Sequence, residues 1–182
     1  QRPRALSARC SMKPTRHVLI DPAHPLEALT ATARGLIENN FIRAAQRAHT
    51  ELLTAVADAG ALDQVCSRIG LFPDPPLGPN DARCRYVAGV VFGHDLVTQQ
   101  GRCVRPAVTL AGSLAWMPIA SGRHAVFTHI GPYDTLHAAW QAIYRDWLPT
   151  SGERLRRVPP MELSRNTPDH VPPAPLHTEI WP

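Results

Sequence analysis

Apolar positions recur along this chain at two periods, and the alternation between them lays out its elements. From Ile42 the spacing is helical: Ile42, Ala45, Ala48, Leu52, Leu53 and Val56 make the stripe of an amphipathic helix. The pattern predicts a helix opening after Ile37, with Asn39 or Asn40 as N-cap and Gly60 as its stop. A second stripe, Leu136, Ala139, Trp140, Ile143, Tyr144, Trp147 and Leu148, predicts a helix capped by Asp134 or Thr135 and ended by Pro149.

Shorter apolar and β-branched runs surround these helices. Cys84 to Phe92 (CRYVAGVVF) reads as a central strand, because it is apolar on both faces. Arg16 to Asp21, Ser67 to Leu71, His124 to His129, Met161 to Ser164 and Leu176 to Trp181 read as further strands. Leu29 to Ala33 is a weaker candidate because of its alanines, and Val108 to Met117 is a candidate broken at Gly112. His94 to Arg105, polar and containing Gly, reads as a loop. Pro-rich loops follow Leu71 and Ser164, and residues 1 to 16 read as a basic tail or linker.

The two halves run in the same order: strand, helix, Gly, short strand, Pro-rich loop, final strand. The helices align through Arg43-Ala44-Ala45-Gln46 and His137-Ala138-Ala139-Trp140. Gly60 then matches Gly152, Ile69 matches Met161, and Asp74-Pro75 falls close to Thr167-Pro168. A period this long suggests a duplicated module whose copies share one sheet or cleft. The predicted class is α+β, with modules over about 17–105 and 106–182. Two differences between the copies matter: Glu162 falls on Gly70, and Trp140 falls on Gln46.

Composition narrows the chemistry. The 182 residues suffice for one ordinary domain or two small modules sharing a core. The net charge of +4 is set by the tail, where Arg2, Arg4, Arg9, Lys13 and Arg16 stand without an acid. The remainder carries 14 basic and 15 acidic residues, so its charge does not argue for nucleic-acid binding. Lys13 is the only lysine, which excludes a P-loop lysine and Schiff-base chemistry in the domain. Cys10, Cys66, Cys84 and Cys103 have no metal-ligand spacing and read as free thiols of a reducing, cytoplasmic compartment, with Cys84 buried in its strand. No metal or cofactor is expected. The histidines, among them His24, His49, His124, His129, His137 and His177, form no H-x-x-x-H pair on a helix and read as surface or satisfied core residues. No apolar run reaches the length of a membrane span, so no membrane association is expected.

The candidate chemistry is concentrated near Glu162, which stands between Pro159-Pro160-Met161 and Leu163. One reading is a carboxylate pointing to solvent from an edge strand. The other is a carboxylate facing an apolar pocket. An isolated buried charge is costly, so such a group takes up a proton or awaits a cation. Trp140, Tyr144 and Trp147 lie on one helical face, and Trp116, Phe127, Tyr133 and Trp181 add aromatics from neighbouring segments. They read either as core or as the walls of a cavity. Aromatic faces there would attract a cationic ligand by roughly 0.5 to 2 kcal/mol each.

The stretch HAVFTHIGPYDTLHAAWQAIYRDWLPTSG, the later Pro-Pro-Met-Glu and the closing LHTEIWP resemble the GyrI-like small-molecule-binding domain. The resemblance is closest over Ser121 to Pro182. It is looser over Arg34 to Phe92, where IGLFPDPPLGPNDARCRYVAGV resembles the first-half strand and Asp-Pro loop. It implies two pseudo-symmetric β-α-β-β modules forming a concave antiparallel cleft with helices behind. It also implies a second-half Glu, here Glu162, that meets lipophilic cations among aromatics, as in multidrug binding. Ser164 stands where that family usually has Tyr. The ligand-binding set expected is Glu162, Trp140, Tyr144, Trp147, Tyr133, Trp116 and Trp181.

Three functions follow from the resemblance. The first is the effector-sensing domain of a bacterial AraC-type transcription regulator, a reading to which the non-Met start and linker-like tail lend weight. No helix-turn-helix is visible in these residues, so DNA would be reached only through a domain outside this chain. The second is a standalone hydrolase of cyclopropane-bearing toxins using Glu162 as acid/base. The third is a protein that inhibits gyrase or binds another partner. A homodimer is compatible with each.

Overall fold

The computed structural model describes residues 13–166 and 176–182. Most of the basic tail, with Cys10, and the second Pro-rich loop, with the Thr167-Pro168 match, lie outside the described residues. The strands are β1 (Arg16–Ile20), β2 (Leu26–Leu36), β3 (Val65–Leu71), β4 (Asp81–Asp95), β5 (Gln100–Val104), β6 (Ala115–Ile119), β7 (Gly122–Ile130), β8 (Met161–Ser164) and β9 (His177–Trp181). Helix α1 spans Ile42–Asp58; α2 spans Leu136–Ala142 and continues through a π-helical turn, Ile143–Trp147, into a last turn, Leu148–Ser151.

All nine strands join one antiparallel sheet, in the order β1-β7-β9-β8-β3-β4-β2-β6, with β5 added on β4. The architecture is the expected α+β pair of β-α-β-β modules. β2-α1-β3-β4 forms one and β7-α2-β8-β9 the other, and the order β7-β9-β8 mirrors β2-β4-β3 across the β3–β8 seam. The strands that precede the modules are exchanged. β1 leads into the first module but pairs with β7 of the second, and β6 leads into the second but pairs with β2 of the first.

Strand alternation divides the core. On one face the curled sheet closes on its own side chains, including Val18, Leu26, Ile69, Val87, Val126, Leu163 and Trp181. The other face carries the helices. Leu29, Ala31, Ala88, Val90 and Phe92 pack beneath Ala44, Ala48, Leu52 and Val56 of α1. Phe127 and Ile180 pack beneath Leu136, Ala139 and Ile143 of α2. Cys84 is buried, as expected. Glu179, on the closed face, is 1% exposed and is held by Arg16 of β1 at 2.6 Å.

Several elements depart from the sequence expectation. The predicted loop at His94 to Arg105 contains β5, which among the described residues pairs only with β4. The strand expected at Val108 to Met117 forms later, at Ala115–Ile119, as an outermost strand that tolerates Pro118. Helix α1 starts five residues after Ile37. Ile37 and Asn40 instead close a tight turn through positive-φ Glu38 and Asn39, and Asn40 Oδ1 accepts from Ile42 N at 2.7 Å. Neither Asp134 nor Thr135 caps α2 through its side chain, because Tyr133–Thr135 forms a 3₁₀ turn first. Pro149 does not end the helix. It sits in the first turn of the segment Leu148–Ser151, directly after the π turn, a position that tolerates proline's missing N–H, and Gly152 at φ 73° ends the helix.

Candidate functional site

The two helices cover the outer strands of their modules and leave the seam between β3 and β8 as the floor of a groove. Alternation turns Met161 and Leu163 to the closed face and Glu162 to the groove. β8 lies between β9 and β3, so Glu162 is not on an edge strand. Its cross-strand partner on β3 is Gly70. Here the missing side chain is required: a Cβ on Gly70 would lie 2.4 Å from the Tyr86 hydroxyl oxygen and 2.9 Å from its ring carbon. Tyr86 therefore reaches over Gly70 toward the carboxylate.

Trp140 crosses from α2, and its indole N–H donates to Glu162 Oε1 at 2.5 Å. Tyr144, one turn on, stacks on Trp140 with centroids 5.8 Å apart and planes 14° from parallel. Phe72, at the end of β3, meets the edge of Trp140 at 5.8 Å and of Tyr86 at 5.5 Å. Phe41 adds a further ring against Phe72. His49 Nε2 lies 3.1 Å from the Tyr86 hydroxyl. The carboxylate is thus set among aromatics from both modules, and among the described residues no cation pairs with it.

Burial pushes the Glu162 carboxyl up to about 7, and the Trp140 N–H opposes that shift by favouring the ionised form. The same burial, with Glu162 and Tyr133 nearby, raises the Tyr86 phenol, which stays protonated. His49 is pushed down by burial and by Arg68, so it is neutral near pH 7. The arrangement offers a carboxyl that ionises near neutrality, a phenol as donor and an imidazole behind it. Such a set can accept a cation or move a proton.

The expected aromatic residues separate. Trp140 and Tyr144 stand beside Glu162, and Tyr133 lies near Tyr86 and the α2 layer. Trp147 packs edge-on against Phe127 of β7 at 4.9 Å, in the layer beneath α2. Trp116 lies in the first module, against Phe92 and beneath the Arg105 guanidinium at 4.8 Å. Trp181 is buried on the closed face beside His124. Sequence reasoning missed the first module's contribution: Tyr86, His49, Phe72 and Phe41. One signal was present, since Gly70 aligned with Glu162 marks a place where something else must fill the space.

Comparison with known proteins fits this geometry. A stretch of 64 residues is 36% identical to a protein of Escherichia coli K12 described as "Probable transcriptional regulator YgiV", covering 35% of this chain and 39% of that one. The match thus spans well under half of the curated relative. Among solved structures, an uncharacterized conserved protein from Listeria innocua superposes with a TM-score of 0.57 at 12% identity, over 94% of this chain and 92% of its own. The EcmrR C-terminal domain superposes with a TM-score of 0.54 at 13% identity, over 91% of this chain and 92% of its own. In the EcmrR–DNA complex the matched part is 54% of the EcmrR chain, with 91% of this chain covered, a TM-score of 0.57 and 14% identity. At these identities the superpositions speak for the fold. The family itself is given by the model of the GyrI-like small molecule binding domain, which matches residues 26–181, nearly the whole chain, and to that family this chain belongs.

Proposed function

We propose that this domain binds a lipophilic cation in the groove between its helices, with Glu162 as the charge contact. The binding serves as the effector signal of a transcription regulator of the AraC type. One observation carries the reading: a half-buried carboxylate, raised toward neutrality, stands among Trp140, Phe72 and Tyr86 without a cation of its own among the described residues. A ligand with a delocalised positive charge supplies the missing counter-charge, and the rings supply apolar area and cation–π attraction. The YgiV description and the EcmrR–DNA complex support the regulatory half of the reading.

Tryptophan fluorescence titration with tetraphenylphosphonium, on wild type and Glu162→Gln, tests it. Saturable quenching in wild type, weakened about tenfold or more in Glu162→Gln, is the expected result. Equal quenching in both proteins would remove Glu162 from recognition.

A second reading rests on the Tyr86–His49 pair beside the carboxyl. A group ionising near neutrality next to a phenol donor suits general acid/base work, so hydrolysis of a strained electrophile is the alternative. It predicts a rate that depends on the ionisation of Glu162 and turnover of a cyclopropane-bearing substrate, which a sensing domain lacks.

A further inference from the structure

A cavity of about 230 Å³ that shares no lining residue with the Glu162 groove is walled by β7, by Trp147 and by the segment after the helix. It is smaller than the roughly 300–1,000 Å³ of pockets for drug-sized ligands. Its wall holds three arginines and one glutamate. The glutamate is already engaged, since both oxygens of Glu153 accept from Arg123 Nη2, at 2.8 and 2.7 Å. Arg154 has no ion pair or hydrogen bond among the described residues. Arg156 is held by neutral groups. It donates to the Ser121 carbonyl and, at 3.4 Å, to the Arg123 carbonyl, and it lies 3.1 Å from His124 Nε2. His124 is pushed down by burial and by Arg156 itself, so it stays neutral beside that guanidinium.

The sequence makes room for this arginine. A Cβ at residue 122 would lie 3.0 Å from Arg156 Nη1, and Gly122, at φ 108°, carries none. Across the cavity, the Trp147 indole, Leu155 and Val158 provide an apolar wall. The guanidinium groups of Arg154 and Arg156 beside a flat indole match an anion joined to a flat apolar body. We infer that this cavity is a second small-molecule site, separate from the Glu162 groove, and that it takes a small aromatic carboxylate. The ligand's carboxylate sits on Arg154 and Arg156 and its ring on Trp147.

Isothermal titration calorimetry of the full 182-residue chain with 2-naphthoate tests the inference, with 2-naphthamide as neutral counterpart and inorganic phosphate as bare anion. Saturable binding of 2-naphthoate is expected, weakened about tenfold in Arg154→Gln and in Arg156→Gln and unchanged in Glu162→Gln. Arg154 makes no ion pair or hydrogen bond among the described residues, so its variant keeps the test valid if Arg156→Gln loosens the turn before β7. No saturable heat, equal binding of the amide, or wild-type affinity in both arginine variants would overturn the proposal. So would phosphate binding as tightly as 2-naphthoate, or loss of binding in Glu162→Gln. Since the readout uses an anion and the arginines, failure of the cation reading leaves this result intact, and the reverse holds too.

Discussion

Across the seam of the sheet the first module presents Gly70 and the second presents Glu162. These residues are equivalent in the repeat and are also direct cross-strand partners, so the pseudo-two-fold axis passes between them. Two residues before Ala88, which pairs with Gly70, stands Tyr86; two before Ile180, which pairs with Glu162, stands Thr178. Gly70 and Tyr86 thus face Glu162 and Thr178. The difference is a physical necessity of the shared axis. A symmetric pair of carboxylates here would repel at close range in a half-buried groove. A symmetric pair of glycines would leave no charge to recognise. One carboxylate, overhung by the phenol that the opposite glycine admits, makes one composite site out of two modules.

The strongest way to break the asymmetry is to restore the symmetry. Gly70→Glu should destabilise the fold by about 3 kcal/mol, read as a lower denaturant midpoint, through like charges in register and the clash with Tyr86. Gly70→Ala should cost less, about 1 to 2 kcal/mol, and Tyr86→Phe in the same chain should recover part of it.

Next in size is the pH dependence of Glu162. A carboxyl held near 7 when folded and near 4.5 when unfolded binds its proton more tightly in the folded state. Its contribution is therefore intact below about 4.5 and is lost as the pH rises through 7. Wild type should lose roughly 2 kcal/mol across that window by chemical denaturation, and Glu162→Gln should lack this component. Binding should show the converse. A cation draws the proton off, so tetraphenylphosphonium should bind more tightly as the pH rises from 5 to 7.5 in wild type, and without that trend in Glu162→Gln.

Trp140→Phe keeps the ring and deletes the donor. It should weaken cation binding by about 1 kcal/mol and move the midpoint of the pH dependence upward, because the N–H favours the ionised carboxylate. The smallest effect sharpens the contrast from a distance. Trp116→Phe, in the first module's layer against Phe92, should leave cation affinity unchanged within about 0.5 kcal/mol.

Much of this was legible in the sequence. The stripes of α1 and α2 and the apolar runs of β4 and β7 declared themselves because each buries a defined face. β5 did not, because QGRCV lies on the end of β4 with most of its side chains in water and so carries no alternation. β6 was displaced because Pro118, unsuited to a central strand, is harmless on an outermost one. The π turn that starts at Ile143 leaves no mark on composition. At the site, Glu162, Trp140 and Tyr144 could be linked through helix spacing and the repeat. Trp116, Trp147 and Trp181 could not be sorted, since an aromatic at a buried position looks alike whichever layer it fills. The partnership of Tyr86 with Glu162 depends on the register of β3 against β4 and β8, a long-range property that local pattern does not encode.

The exchanged arms have a consequence for how the chain reaches this state. Arg16 pairs with Val126, and Glu27 with Pro118, so each half of the sheet receives its outer strand from the other half. Neither half can satisfy its sheet edge before roughly a hundred residues of intervening chain have been ordered, which is the signature of slow, high-contact-order folding. The Arg16–Glu179 pair inside the closed face latches the first arm only when β9, near the end of the chain, is in place. Folding should therefore proceed as one cooperative event, and a backbone nick between the modules should leave the two fragments associated rather than free.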